Sequence, residues 1–390
     1  MYRYLCLFFL CLSLRAETVL ALPFFNHSNS ANLDWIGESI AESVGDSLAS
    51  EGVLVLDRAT RLEAYHRLDM RPSAEITHAS IIKIGQALDA SVVVYGFYEL
   101  LPPANGDTQS KGSLRVTARL LDLKNTRQGP PFGEVGALED LANLEVRLGW
   151  QVLAFLHPKT APSEEDFLKA RPPVRIDAVE NYIRGLLATS PEQRNRFFTQ
   201  AARLDEHFSQ PCFQLGKTYW DRKDYKVAAS WLERATRSDP HYLEAQFFLG
   251  LCRFHSGDFT GAEKAFQMVA ASVPLNEVYN NLGAAQSRLN RPADAIASFQ
   301  KAVDGDSADP DYHFNMGYVQ WRAGRFEDAV ASLRAVLARS PKDDEAAGLL
   351  QRALQHEGPR PGDPTLEARE RLKTNYDEAA YRQLQAELAK

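Results

Sequence analysis

The feature that most limits what this chain can fold into is an internal period in its second half. Gly216, Gly250, Gly283 and Gly317 lie 34, 33 and 34 residues apart, and Ala228, Ala262, Ala295 and Ala329 keep the same intervals. Leu215, Leu249, Leu282 and Met316 precede the glycines, and Leu232, Phe266, Phe299 and Leu333 follow the alanines by four. Pro240, Pro274, Pro310 and Pro341 stand near the unit ends, the third displaced by about two residues. A chain repeating at this period folds as a stack of like units that bury their apolar faces against one another. The positions predict two helices per unit. The glycine lets the helices approach, and the alanine offers a matching small surface. The large apolar residue fills the space between neighbouring units, and the proline closes the second helix.

In period and residue type these positions resemble the tetratricopeptide repeat, which implies an all-α solenoid over residues 174–357. Four regular units fall at 209–242, 243–275, 276–309 and 310–343. An atypical unit, 174–208, precedes them: Tyr182-Ile-Arg-Gly185 is similar to a first helix, and Phe198 and Ala201 keep the spacing of a second. Atypical end units are expected of caps. Glu345–Gln355 is a candidate capping helix, closing the solenoid within 345–357. Residues 358–390 read as a carboxy-terminal helix or a degenerate repeat. Asp363-Pro364 suits a helix start, and Leu366, Leu372, Tyr376, Ala380, Leu384 and Leu388 share one side of a helix over Thr365–Leu388.

The resemblance implies a concave groove lined by the first helix of each unit. It places Phe213, Lys217 and Trp220 there from one unit, then Phe247, Leu251, Phe254 and His255 from the next. The third supplies Asn280, Asn281, Ser287 and Arg288, and the fourth Phe314, Asn315, Tyr318, Trp321 and Arg322. Rings with interspersed amides suit an extended peptide, whose main chain Asn281 and Asn315 can bond through both donor and acceptor. Arg288 and Arg322, one unit apart, can receive an acidic group. The alternative is that the rings only pack between neighbouring helices. The family's clamp for a terminal carboxylate uses Lys and Asn where Phe and Leu mostly stand here, so that specialisation is not implied.

The first half alternates strand and helix signals: apolar Thr18–Phe25, a helix carrying Ile36, Ile40, Val44 and Leu48, then Val53–Leu56. Helices are expected at Arg58–Leu68 and His78–Leu88, and strands at Val92–Tyr98, Leu114–Leu120 and, more weakly, Arg127–Val135. Leu138–Leu156 reads as an amphipathic helix. The order implies an α/β module with a mixed sheet. Leu22-Pro-Phe-Phe-Asn26, Trp35-Ile-Gly-Glu-Ser-Ile-Ala-Glu, Leu54-Val-Leu-Asp-Arg58, the run Ile84–Gly96 and the run Leu114–Asp122 are similar, in order, to the TolB amino-terminal-like module. FlgO-like envelope proteins carry a related one. Over residues 17–157 that resemblance implies a non-catalytic module. Residues 158–173, with Pro158, Pro162, Pro172 and Pro173, are expected to be a linker.

Residues 1–16 read as a signal peptide: Arg3 precedes the apolar run Leu5–Leu14, too short to span a bilayer, with cleavage after Ala16. Its removal takes away Cys6 and Cys11 and leaves 42 basic and 51 acidic residues, a net charge of −9. Cys212 and Cys252 remain, either as two buried thiols or as one disulfide. No other run is long enough for a transmembrane span, and the acidic balance argues against nucleic acid as partner. Phosphate-loop, dinucleotide, zinc-protease and nucleophile-elbow motifs are absent, so no enzyme and no cofactor are expected. Glu38, Glu42 and Asp46 read as a solvated helix face, and Asp304–Asp311 as a solvated turn, so no metal is expected. The expectation is a non-enzymatic scaffold of the bacterial periplasm or cell envelope. Its groove holds a protein or peptide segment, and the α/β module recruits an envelope component. The alternative is a ligand sensor, with a small molecule bound near the polar turn Asn26–Asn32 and the repeats relaying or oligomerising.

Overall fold

The computed structural model describes residues 18–28, 30–71, 75–101, 112–237, 239–360, 370–377, 379–381 and 383–384; the expected signal peptide lies outside them. The chain divides into two compact units, residues 1–136 with 147–161, and residues 137–146 with 162–390.

The first unit is built on β1 (Thr18–Ala21), β2 (Phe25–Asn26), α1 (Trp35–Ala49), β3 (Leu54–Leu56), α2 (Arg58–Arg67) and α3 (His78–Ala87). β4 (Val92–Leu101), β5 (Ser113–Asp122), β6 (Arg127–Gln128), β7 (Phe132–Ala137) and α4 (Leu141–Leu156), of which residues 147–156 belong to this unit, follow. The sheet order is β3-β1-β4-β5-β6, with β2 also on β4 and β7 on β5. β1 runs parallel to β3 and β4, and β5 returns antiparallel. Strand residues alternate faces, so Leu20 and Leu22 meet Ala64, Tyr65, Ile81 and Ile84 of α2 and α3.

The single strand expected over Thr18–Phe25 is two pieces. Between them the Phe24 amide turns to donate to the Gly37 carbonyl at 3.0 Å. A Cβ on Gly37 would lie 2.0 Å from the Phe24 carbonyl oxygen, so only glycine allows this approach. The carboxylates of α1 are not a solvated face either. Glu38 is buried and receives Arg58 and Arg61, Glu42 receives Arg61 at 3.3 Å, and Arg61 also donates to the Ala21 carbonyl at 2.8 Å. A buried carboxylate is retained only when it is paired. Helix α2 supplies the partners, at positions that periodicity along α1 does not reveal.

The second unit is a run of helices: α5 (Glu164–Lys169), α6 (Ile176–Leu187), α7 (Pro191–Leu204), α8 (Gln210–Asp221), α9 (Tyr225–Leu232) and α10 (Tyr242–His255). α11 (Phe259–Ser272), α12 (Asn276–Arg288), α13 (Pro292–Gly305), α14 (Pro310–Arg322), α15 (Phe326–Arg339) and α16 (Asp344–Leu354) complete it. The expected linker therefore contains a helix. α5 is capped by Ser163 and anchored by buried Phe167, over whose ring the Arg171 guanidinium lies at 3.6 Å. From α6 onward each helix packs on the next, and the first helices of successive units also touch, α8 with α10, α10 with α12, α12 with α14 and α14 with α16.

The repeated glycines act within a unit. A Cβ on Gly216 would meet Leu232 at 2.4 Å, on Gly250 Phe266 at 2.6 Å, on Gly283 Phe299 at 2.8 Å and on Gly317 Leu333 at 3.0 Å. The large residue thus fills the hollow over its own unit's glycine rather than a gap between units. Gly185 and Phe198 repeat the contact in the atypical unit, at 2.5 Å. The third proline also differs from expectation. Pro310 sits in the first turn of α14, after the cap Asp309, while α13 has already ended at Gly305. Cys212 and Cys252 are free and buried, and burial pushes their thiols up to about 11 and about 12.

Gly283→Ala is expected to lower stability by about 1–3 kcal/mol, because Phe299 is fully enclosed and cannot move aside. Gly348→Ala on α16 has nothing within 4 Å of the added carbon. It should raise stability by up to about 1 kcal/mol through helix propensity. Thermal melting of the two variants checks the pair, and equal destabilisation would contradict the packing account.

Candidate functional site

The faces of α10, α12 and α14 carry most of the expected groove residues, and the groove is occupied by the chain itself. Residues 370–376 lie in it without helical structure, contrary to the helix expected over Thr365–Leu388. Helical bonding begins only where the Tyr381 amide donates to the Asp377 carbonyl at 2.8 Å. Asp377 caps that turn, accepting from the Ala379 and Ala380 amides at 2.9 and 3.0 Å. Leu366 and Leu388 lie outside the described residues.

Two asparagines hold the segment by its main chain. Asn315 accepts from the Arg371 amide at 2.7 Å and donates to the Arg371 carbonyl at 2.9 Å. Asn281 does the same for Lys373, at 2.8 and 2.7 Å. Asn280 adds a second donor to the Arg371 carbonyl at 2.9 Å and accepts from Asn315 at 2.7 Å. Residues two apart in an extended chain present the same edge, which is why side chains one repeat apart can bond residues 371 and 373. All three asparagines are fully buried in this state.

The side chains of the segment find opposite charges on the groove walls. Glu370, with no exposed side-chain surface, accepts from the Ser287 hydroxyl at 2.6 Å and faces Arg322 at 3.6 Å and Arg288 at 3.8 Å. Arg371 makes a forked pair with Asp343 at 2.7 and 3.0 Å, reaches Glu345 at 3.0 Å and lies 3.6 Å over the Phe314 ring. Lys373 bridges Asp309 and Asp311, both at 2.7 Å. Leu372 packs against both apolar clusters of the stack, and Tyr376 meets Phe247 edge to face at 5.0 Å.

Other expected groove residues make polar and ring contacts with neighbouring elements of the stack. Phe213 stacks on His241, and Lys217 pairs with Glu244 at 2.9 Å. Trp220 packs among Tyr225, Phe248 and His255. Leu251 is core, and Phe254 packs on Phe259. Trp321 donates to the Glu357 carbonyl at 2.7 Å, and Tyr318 carries the Arg322 guanidinium. For these, packing between helices is what the structure shows. Sequence reasoning missed the acidic wall of Asp309, Asp311, Asp343 and Glu345. It read Asp309 and Asp311 as part of a solvated turn, whereas they hold Lys373. The basic residues at 371 and 373, facing this excess of carboxylates, were the available signal.

The charges fix the pH window of docking. Hydrogen bonds from Arg371 hold the Asp343 carboxyl below its ordinary 3.8. A lowered carboxyl favours docking above its free value, and the contribution is lost as pH falls through the lowered one. Burial works against the charge on Lys373, but its bonds to Asp309 and Asp311 outweigh this and raise it above 10.5. Its contribution is complete below 10.5 and is lost as pH rises through the raised value.

The family model of the tetratricopeptide repeat matches residues 213–277 and 280–344. The repeats within residues 213–344 are tetratricopeptide repeats. A TPR repeat-containing protein of Pseudomonas aeruginosa is 38% identical over 60 residues, 15% of this chain, and the chain spans 57% of that relative's length. MamA from Desulfovibrio magneticus is 23% identical, covering 43% of this chain and 98% of its own, with a TM-score of 0.39. YrrB, described as a TPR protein with an unusual peptide-binding site, is 18% identical over 41% of this chain and 84% of its own, with a TM-score of 0.36. Tetratricopeptide proteins are generally protein-binding scaffolds, and their stacked units create extended concave surfaces. Among the described residues no cluster suited to a metal ion occurs, and no helix is long and apolar enough to cross a membrane.

Arg371 and Lys373 are trypsin sites sheltered by docking. Removing both clamps, with Asn281→Ala and Asn315→Ala, removes bonds of about 1–3 kcal/mol each, so cleavage at these sites should quicken at least roughly tenfold. Unchanged cleavage would contradict the clamp. The side-chain amide resonances of Asn281 and Asn315 should hold steady from about pH 5 to 9, shifting below about pH 4 and again only in the alkaline range where Lys373 loses its proton. A transition near neutrality would contradict the ion-pair assignment.

Proposed function

We propose that this chain is a non-enzymatic scaffold of the bacterial cell envelope whose tetratricopeptide groove binds an extended protein segment. The observation that carries the reading is the pair of asparagines, Asn281 and Asn315, each bonding both the N–H and the C=O of one residue in a non-helical segment. Bonds to main chain hold a peptide of varied sequence, and the surrounding charges and rings select its side chains.

The amino-terminal unit, in this reading, positions a second envelope component. Its similarity to the TolB amino-terminal-like module over residues 17–157 and the signal-like character of residues 1–16 support placement in the periplasm. The sensor alternative draws less support. In the turn after β2, Asn26 is already engaged: it donates to the Ser30 carbonyl and to Asp34 at 3.0 and 2.8 Å and accepts from the Ser28 amide at 2.8 Å.

Affinity capture from separate periplasmic and cytoplasmic extracts tests the proposal. The baits are the full chain, the full chain with Arg371→Asp and Lys373→Asp to release the segment, and the released chain with Asn281→Ala and Asn315→Ala. A periplasmic partner gained on release and lost with the asparagines is the expected result. A partner indifferent to the asparagines would move recognition to the α/β unit, and one found only in cytoplasm would overturn the envelope placement.

A further inference from the structure

We propose that Glu370–Tyr376 is an intramolecular stand-in for the partner, and that the groove accepts an external segment with the same order of side chains. That order is acidic, arginine, apolar, lysine, then an aromatic three residues on. The inference rests on the groove-binding reading above and adds a partner chemistry and a closed resting state.

The order follows from how charge is distributed across the groove. Arg288 and Arg322, one repeat apart, converge on one carboxylate, which is fully enclosed. A buried charge of this kind is tolerated only with partners in place, so a neutral or basic residue there leaves two cations facing each other. The acidic wall, at the N-terminal ends of α14 and α16, presents Asp309, Asp311, Asp343 and Glu345 to the next charged positions. The forked geometry at Asp343 and the ring of Phe314 below favour arginine, and the point contact with two carboxylates suits lysine. Reversing the order sets like charges against both walls, which selects against wrong partners as well as for right ones. Leu372 fills an apolar site between these charges, and Tyr376 one beyond them against Phe247.

Closure follows from connectivity. Arg352 holds the Gly358 carbonyl at 2.9 Å, so the chain is tied to α16 before it reaches the groove. Twelve residue steps from Gly358 to Glu370 span at most about 40 Å, and a tether of that length gives an effective concentration of order millimolar. An external segment with the same contacts must displace the tethered one, and its apparent affinity falls by the fraction of groove that is open.

The probe is a fluorescent heptapeptide with the sequence of residues 370–376, titrated by anisotropy into three full-length proteins. These are the natural chain, Arg371→Glu with Lys373→Glu, and, as a second route to release, Glu370→Arg; circular dichroism checks that each is folded. Both released chains should bind the peptide at least roughly tenfold more tightly than the natural chain. A heptapeptide with its acidic and basic positions exchanged should bind the released chains at least roughly tenfold more weakly than the native-order peptide. Equal affinity for natural and released chains would overturn closure. Equal affinity for both peptides would overturn the side-chain order while leaving main-chain recognition standing. No binding of either peptide to any chain would overturn this inference and the groove reading together. Affinity of the natural chain that rises on dilution would show that a second copy donates the segment and overturn the intramolecular assignment.

Discussion

A buried carboxamide has to find partners for both its donor and its acceptor, and the groove is organised around that requirement. Asn280, Asn281 and Asn315 have no exposed surface, and their amides are satisfied by one another and by the main chain of residues 371 and 373. Leaving such a group unpaired costs about 1–3 kcal/mol whatever the sequence of the bound chain, because its partners are main-chain groups. The ion pairs of Glu370, Arg371 and Lys373 therefore set sequence preference, and the asparagines set the path of the chain.

The spacing that makes this possible comes from the repeat. Glycine under Phe266, Phe299 or Leu333 fixes how closely the two helices of a unit approach, and like units then place like positions in line. Asn281 and Asn315 stand 34 residues apart for the same reason that Gly283 and Gly317 do. A substitution that forces α13 away from α12 would shift Asn281 relative to Asn315 and spoil their match to alternate residues of a peptide.

Much of this was legible in the sequence, because the period ties glycine, alanine and large apolar residues to fixed places in a helix pair. Asn281, Asn315, Arg288 and Arg322 were picked out as groove residues, and the structure brings all four onto one segment. The identity of that segment was not legible. Leu372, Tyr376, Ala380 and Leu384 recur every four residues in a run of good helix formers, which is what a helix looks like locally. Short helices are marginal alone, so the groove's main-chain bonds and opposed charges outweigh that propensity for residues 370–376. Glu38 was misread for a similar reason. Its partner Arg61 is distant in sequence, and no pattern along α1 reports a neighbour on α2.

The central claim is that the chain's own segment occupies the groove through main-chain bonds to Asn281 and Asn315. Hydrogen–deuterium exchange of the natural full-length protein, resolved to single amides, tests it most directly. The account predicts that the Arg371 and Lys373 amides are protected and that Asn281→Ala with Asn315→Ala abolishes this protection. Exchange of both amides at the rate of an unstructured chain would contradict it.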